Sequence, residues 1–437
     1  MKLHKLALAL AATAPCFASL HAAAATLCVG SSPCYATIGA AVAAANPGDV
    51  IRVGPGTYYE SITISKPLSL TTDSAILDAS GRKRGFFVNG LSPNGLTGTG
   101  LADVNISGFA VRNAMYEGIL VLNASRVSVS NNVVMNNNTA LSNGSCPGLD
   151  AFETNEGSDC GEGIHLMAAD HSVVTNNTLT GNSGGILNSD DTGPTHDNVI
   201  TFNIVHDNPY ACGITLASHP AYVPPVVPVS TTVPAAYGVY HNMVYANRSR
   251  ANGNANGGGS GVGIFASSPG TMSYGNVVVA NYLTENGLPG IAMHAHAPGQ
   301  ILNDNMLVAN TLIDNAADTE DAATPGPTGI NIYSLMPISG NLVIGNSIQG
   351  EAADVVVHAP AIPIPSTAVP AVVQFNSLEG SGIGVLNSSL GATVNAAENF
   401  WSCPNGPTIP GSCSTVSGPG IQWSPWLTTA LPTLPSY

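Results

Sequence analysis

Seven asparagine pairs, each five residues apart around a mainly apolar run, restrict the fold of this chain more than any other feature. They are Asn132/Asn137, Asn177/Asn182, Asn198/Asn203, Asn242/Asn247, Asn276/Asn281, Asn305/Asn310 and Asn341/Asn346. A second mark alternates with them, a small residue followed by a β-branched one. It occurs at Gly118-Ile119, Gly163-Ile164, Gly185-Ile186, Gly213-Ile214, Gly263-Ile264, Gly290-Ile291 and Gly329-Ile330, with Asp354-Val355 as a variant. The closest of these marks lie roughly 22 to 28 residues apart, the size of one solenoid turn. Wider gaps read as a turn plus an inserted loop. Short apolar strands cannot bury themselves alone. Stacked coils bury alternate side chains in a continuous interior and pair each backbone with the next. Asparagine tolerates the left-handed conformation of a sharp corner, and its amide can bond to the copies above and below. The pattern predicts an all-β, right-handed parallel β-helix.

The ends read differently. Residues 1–25 have the layout of a secretory signal peptide: Lys2 and Lys5, an apolar stretch from Leu6 to Ala14, and small residues from Ala22 to Ala25. Residues 26–70 read as an N-terminal cap with the first coils. An Ala-rich helix is expected over Tyr35–Asn46, strands at Val50–Val53 and Ser61–Ser65, and a turn at Pro55–Tyr58. Residues 71–398 form the solenoid, and 399–437 the last turn and C-terminal cap. No stretch after the leader is long and apolar enough to span a membrane.

The net charge is −15. That excludes nucleic acid and anionic membrane as natural partners, and disfavours a highly anionic polymer unless cations bridge it. Six cysteines fall into three pairs close in sequence, each in a Gly/Pro/Ser-rich segment: Cys28 with Cys34, Cys146 with Cys160, and Cys403 with Cys413. They predict three local disulfides in an oxidising compartment. Cys212 is left over and reads as a buried thiol. The expected location is secreted, whether extracellular, periplasmic or on the cell surface, and the expected state is a monomer.

The run Ala36-Thr37-Ile38…Pro47-Gly48-Asp49…Pro55-Gly56-Thr57-Tyr58…Glu60…Lys66-Pro67-Leu68 resembles the start of secreted proteins of the pectin-lyase-like right-handed β-helix superfamily. Asn399-Phe400-Trp401-Ser402-Cys403 with Ser424-Pro425-Trp426 is similar to the last turn of many of them. The resemblance covers nearly the whole chain after the leader. It implies the fold and leaves the activity open, because the superfamily holds lyases, epimerases, hydrolases, esterases and proteins without known chemistry.

Loops inserted at 139–162, 250–262 and 316–328, and at 190–197, 219–236 and 359–371, flank the Gly-Ile strands on both sides. They would wall a groove whose floor is the Gly-Ile sheet. Strand alternation then gives a first outward row of Leu120, His165, Leu187, Thr215, Phe265, Ala292 and Asn331. The second is Leu122, Met167, Ser189, Ala217, Ser267, His294, Tyr333 and His358. His294 and Tyr333 on adjacent coils suit a base and an acid near neutral pH, with His165 as a further catalytic candidate. His358, Asp190, Asp191, Phe265 and Asn331 are the substrate-binding candidates. Asp190-Asp191 could be a hydrolytic carboxylate pair, and resembles β-helical polygalacturonases locally, although Asn-Thr-Asp and Arg-Ile-Lys motifs are absent. Asp150, Glu153, Glu156, Asp159 and Glu162 form an acidic loop that could take Ca2+; no other cofactor is called for. No Lys or Arg follows Arg250, so a lyase at His294 would need calcium, a protonated His or Asn to neutralise a substrate carboxylate. The expected function is binding of a polysaccharide, with lyase- or epimerase-like processing. A non-catalytic surface or adhesion-type solenoid, in which the polar ladder only stacks, is the alternative, and a glycoside hydrolase the third.

Overall fold

The computed structural model describes residues 24–92, 98–154, 160–222, 237–255, 258–319, 324–361, 369–379, 382–389, 391–407 and 413–432. The expected leader lies outside them except for its last two residues. Among the described residues the chain winds into three long parallel sheets of 14, 11 and 12 strands. Each coil gives one strand to each sheet in turn, for example Val277–Val279, Tyr282–Thr284 and Ile291–Ala295. This is the parallel β-helix that the repeats predict. The third sheet carries the Gly-Ile marks. Its inward row, from Ile119 through Ile164, Ile186, Ile214, Val262, Ile291 and Ile330 to Val355, is fully buried.

The glycines of the marks have a steric reason, while the variant mark accommodates a buried Asp354. A Cβ on Gly118 would lie 2.8 Å from the Asn137 amide nitrogen and 2.4 Å from a Val134 methyl. On Gly185 it would lie 2.2 Å from the Gly213 carbonyl oxygen of the next coil. A side chain there would push neighbouring coils apart.

The asparagines form three ladders, not two. One precedes the first sheet (Asn198, Asn242, Asn276, Asn305, Asn341). One lies between first and second (Asn132, Asn177, Asn203, Asn247, Asn281, Asn310, Asn346, Asn376, Asn399). One lies between second and third (Asn137, Asn182, Asn208, Asn252, Asn286, Asn315) and ends on Glu351. The pairs at 132/137 and 177/182 therefore span different corners from the later five, which belong to triplets such as Asn276, Asn281 and Asn286. Asn281 is typical. Its Oδ1 accepts from the Asn247 backbone N–H at 2.9 Å and the Asn247 amide at 3.0 Å. Its Nδ2 donates to Asn310 Oδ1 at 3.0 Å and to the Val244 carbonyl at 2.9 Å. The left-handed corner is not taken by the ladder residue. It falls on the residue before it, such as Phe202, Ala246, Ala280 or Ala309 at φ of 53–56°. Each inward amide offsets a backbone conformation that costs an L-residue about 1–2 kcal/mol. Asn310→Leu is expected to destabilise the chain by about 1–3 kcal/mol, because its buried partners lose their hydrogen bonds; urea denaturation would measure it, and an unchanged midpoint would count against the ladder.

Helix Ile38–Ala44 covers the N-terminal end of the interior with Ile38, Ala41 and Val42. Thr37 caps it, and the Glu60 carboxylate accepts from the Ile38 and Gly39 N–H groups at 2.8 and 2.9 Å. An anion at this helix end complements its unpaired donors. Pro55–Tyr58, expected as a turn, contains the strand Gly56–Tyr58, which pairs with Ala75–Leu77 in the second sheet. Near the other end, strands Thr415–Ser417 and Ile421–Gln422 still add to the third and first sheets, and Trp401 is buried in the core.

The three disulfides join the expected partners: Cys28 bonds to Cys34, Cys146 to Cys160, and Cys403 to Cys413. Each closes a short local loop, so none of them ties distant coils together. Their roles are structural: Cys34 lies just before the capping helix, Cys160 and Cys146 are buried against Tyr116, and Cys413 precedes the last strand of the third sheet. Cys212 is buried and outside the three disulfides, and its Sγ accepts from the Ser260 N–H at 3.2 Å. Among the described residues no helix is long and apolar enough to cross a membrane.

Candidate functional site

The second outward row of the third sheet pairs Phe265 with His294, His294 with Tyr333, and Tyr333 with His358 on successive coils. Phe265 stands in this row, two residues from its expected place, because Val262 and not Ile264 pairs with Ile291. The true mark on that coil is Gly261-Val262. The rings form one strip: Phe265 to His294 at 5.3 Å, His294 to Tyr333 at 6.3 Å, and Tyr333 stacked on His358 at 5.0 Å. His296, beyond the strand end, lies 5.5 Å from both His294 and Tyr333. His294 Nε2 is 2.7 Å from Asp318 Oδ2, which also accepts from Asn331 Nδ2 at 2.7 Å. Thr324 holds the Asp318 backbone N–H at 2.9 Å. Asp318 thus comes from the loop expected to wall the groove.

The floor is not open along its length. The first outward row, including Leu120, His165, Leu187, Thr215, Ala292 and Asn331, is buried, as are Leu122, Met167 and Ser189 of the second. Phe152, from the acidic loop, packs against the cluster of Leu120, Leu122 and Met167, and Asp318 bonds to Asn331. Phe265, Tyr333 and His358 remain half-buried, so the accessible strip occupies the C-terminal half of the face. Within it His294 is 2% and Asp318 1% exposed.

His165, Asp190 and Asp191 belong elsewhere. His165 sits four strands from His294, or ~19 Å at about 4.8 Å per strand. Its Nε2 is 2.8 Å from Ser189 Oγ, which donates to Asp191 Oδ2 at 2.5 Å. Asp191 also meets His219 Nδ1 at 3.2 Å and the Thr154 N–H at 2.9 Å. Burial pushes its carboxyl up, but His219 and these hydrogen bonds outweigh that and hold it below the usual carboxylate range. Asp190 accepts from Ser218 and from the His219 and Gly238 N–H groups, while burial lifts it to about 6. Both aspartates, expected at a groove edge, are buried and engaged internally.

Beyond His165 lies a buried ion network. Arg84, 3% exposed, binds Glu117 Oε2 at 2.5 Å, Asp150 Oδ2 at 2.6 Å, and Glu153. Its guanidinium also lies over the Phe87 and Phe152 rings at 5.3 and 5.6 Å. Burial drives Glu117 to about 8 and raises Glu153, with Arg84 opposing both shifts. Asp150 and Glu153 of the acidic loop are thereby neutralised by Lys83 and Arg84; Glu156 and Asp159 lie outside the described residues. Sequence reasoning missed Asp318, Arg84, Glu117 and His219. The available signal was that Glu117, His219 and Asp318 each stand in or beside a segment flanking a Gly-Ile strand; Arg84 carried none.

A family model described as "Periplasmic copper-binding protein (NosD)" matches residues 82–222, about a third of the chain. Comparison with curated proteins gives no match. Among solved structures, the chain is similar to an alginate lyase from Paenibacillus sp. at 12% identity and TM-score 0.41, covering 91% of this chain and 99% of that one. It is similar to the A-module of an Azotobacter vinelandii mannuronan C-5 epimerase at 13% and 0.44, covering 88% and 93%. It is similar to a surface adhesin of Streptococcus pneumoniae at 12% and 0.41, covering 82% and 84%.

Proposed function

We propose that this protein is a secreted β-helix that binds a polysaccharide along the Phe265–His294–Tyr333–His358 strip. We further propose that His294 and Tyr333 act there as a base and an acid of lyase or epimerase type. The observation that carries the reading is the strip itself: aromatic rings on successive coils of a rigid face, with a histidine oriented by a carboxylate in their midst. Rings bind the apolar faces of sugars, and a strip along the solenoid axis can follow a chain of them. The 2.7 Å contact of His294 with Asp318 fixes ring orientation and supports proton acceptance. Tyr333, paired with His294 on the adjacent coil, would in a lyase return a proton to the leaving oxygen. No Lys or Arg follows Arg250. Neutralising a uronate carboxylate would therefore fall to His296 or His358 when protonated, or to a bound cation. The three disulfides support an oxidising, extracytoplasmic location.

One observation favours a second, non-catalytic reading: His294 and Asp318 are almost wholly buried, which suits a structural pair under an adhesive surface. The hydrolase reading has no such support, since Asp190 and Asp191 are spent on internal hydrogen bonds. Affinity electrophoresis on a panel of neutral and acidic polysaccharides tests the binding. Tyr333→Ala and His358→Ala should each weaken retention about five- to tenfold, the scale of one lost ring contact. Wild-type protein that migrates unretarded through every gel, or variants that bind as well as it does, would overturn the reading.

A further inference from the structure

The N-terminal half of the third sheet's outer face carries a satellite apolar cluster, separate from the solenoid interior. Leu120, Leu122 and Met167 are fully buried in it, and Phe87, Leu91 and Phe152 pack against them. Phe87 and Leu122 point outward from the strands Phe86–Asn89 and Ile119–Leu122, and Phe152 comes from the acidic loop. A cleft of about 590 Å³ opens on this cluster, walled by Phe87, Leu91, Leu122 and Phe152. Its remaining lining is Asn89 and three hydroxyl side chains, and none of these described residues is charged. The Phe87 and Phe152 rings are nearly parallel, 13° apart in plane, with centroids at 6.4 Å. Arg84 backs both, its guanidinium over the two rings at 5.3 and 5.6 Å. Its charge is met by Glu117, Asp150 and Glu153, and the last two flank Phe152 in sequence. The buried ion network therefore fixes the loop ring beside the sheet ring, and the Cys146–Cys160 disulfide closes the same loop.

We propose that this cleft binds a small uncharged aromatic molecule that carries a hydrogen-bond acceptor, such as an aryl ester. The volume falls within the usual range for small-molecule sites, about 300–1,000 Å³, and is several times the ~150 Å³ that holds a benzene ring. An ion would surrender its water to a lining that offers no charge in return. Arg84 does not help an anion, because three carboxylates already surround it. A bare sugar fits poorly for a similar reason, since its hydroxyls would meet apolar walls on most sides. The two parallel phenyl rings present flat apolar surface, which another ring meets by offset or edge-on contact. Asn89 supplies the polar contact. Its Oδ1 accepts from the Leu91 N–H at 3.0 Å, which leaves the Nδ2 donors for an ester carbonyl. The walls are held before binding, by the sheet on one side and the Arg84 network on the other, so little order need be gained. Leu122 lies four strands from Phe265, or ~19 Å at about 4.8 Å per strand, so this cleft and the aromatic strip can be tested apart.

Calorimetric titration of the full-length protein with methyl 4-hydroxycinnamate tests the site, with the 4-hydroxycinnamate anion as its charged counterpart. Saturable binding of one ester per chain is expected. The anion should bind at least about tenfold more weakly, because its carboxylate must be desolvated. Phe152→Ala should weaken ester binding about three- to tenfold, the scale of one lost ring contact. Leu91→Trp adds bulk at a half-buried position of the wall and should weaken it about tenfold or more by filling the cleft. Leu91→Trp removes no contact of the Arg84 network, so it decides the matter should Phe152→Ala loosen the acidic loop. No saturable binding of the ester, an anion that binds as well as the ester, or ester binding of wild-type strength in either folded variant would overturn the proposal.

Discussion

Replacing Arg84 with methionine is expected to destabilise the protein by about 3–5 kcal/mol at neutral pH, the usual cost of stranding buried charges. Arg84 is the central cation of its network. It touches Glu117, Asp150 and Glu153 and fills the space between Phe87, Phe152 and Tyr116. Methionine keeps much of the volume and none of the charge. The effect has a pH signature. Burial raises Glu117 from 4.5 to about 8 and also raises Glu153. A carboxyl whose folded pKa lies above its unfolded value contributes stability that is full below the unfolded pKa and lost as pH rises through the folded one. Without Arg84 both values rise further, so the deficit of Arg84→Met should be greatest in the alkaline range. It should narrow as pH falls through about 8, where Glu117 takes up its proton in the folded wild type. Adding Glu117→Gln and Glu153→Gln to Arg84→Met should recover part of the loss. Urea denaturation across this range measures all three. A deficit independent of pH would mean that lost packing, not stranded charge, explains the cost.

The fold was legible because the features that build it recur. A five-residue asparagine step is the length of one strand plus one corner, and the glycine of each mark is required wherever a Cβ would strike the next coil. The disulfides were legible for a different reason: Cys34, Cys160 and Cys413 each follow their partners within one short loop, so pairing needed no knowledge of the coil path. What could not be read was phase. Asn132/Asn137 and Asn276/Asn281 look alike in sequence, yet they span different corners of the coil. Gly263-Ile264 has the form of a mark, but Val262 and Ile264 share the inward face, so alternation alone cannot choose between them. Only pairing with Ile214 and Ile291 on the neighbouring coils does. The same limit applies to the site. His294, Tyr333 and His358 were found because they occupy one register position. Asp318 was not, because its approach to His294 depends on the path of an inserted loop, which no repeat encodes. His165 was expected to face a groove and is instead sealed under the loop that carries Glu153. Alternation gives the direction of a side chain, while its exposure depends on what folds over it.

The sharpest division between a catalytic and a structural strip comes from Tyr333→Phe. The substitution removes one hydroxyl and leaves the ring that stacks on His358 at 5.0 Å. If the strip only binds sugar, Tyr333→Phe should bind as the wild type does, and neither protein should turn over any substrate. If Tyr333 returns a proton to the leaving oxygen, binding should persist while turnover falls about 10²–10⁴-fold, the usual worth of a positioned acid or base. Asp318→Asn extends the comparison. An asparagine oxygen can still accept from His294 and Asn331, so the loop should keep its place, but the negative charge that favours protonation of His294 is gone. Turnover should drop by a similar factor, because the carboxylate that supports proton acceptance by His294 is lost. A structural pair would change only stability. The measurements are ultraviolet absorbance of unsaturated products for a lyase and solvent-hydrogen exchange at the sugar carbon for an epimerase, each set beside thermal denaturation of the same variants. Full turnover in Tyr333→Phe would remove the acid, full turnover in His294→Ala would remove the base, and the strip would then stand as a binding surface alone.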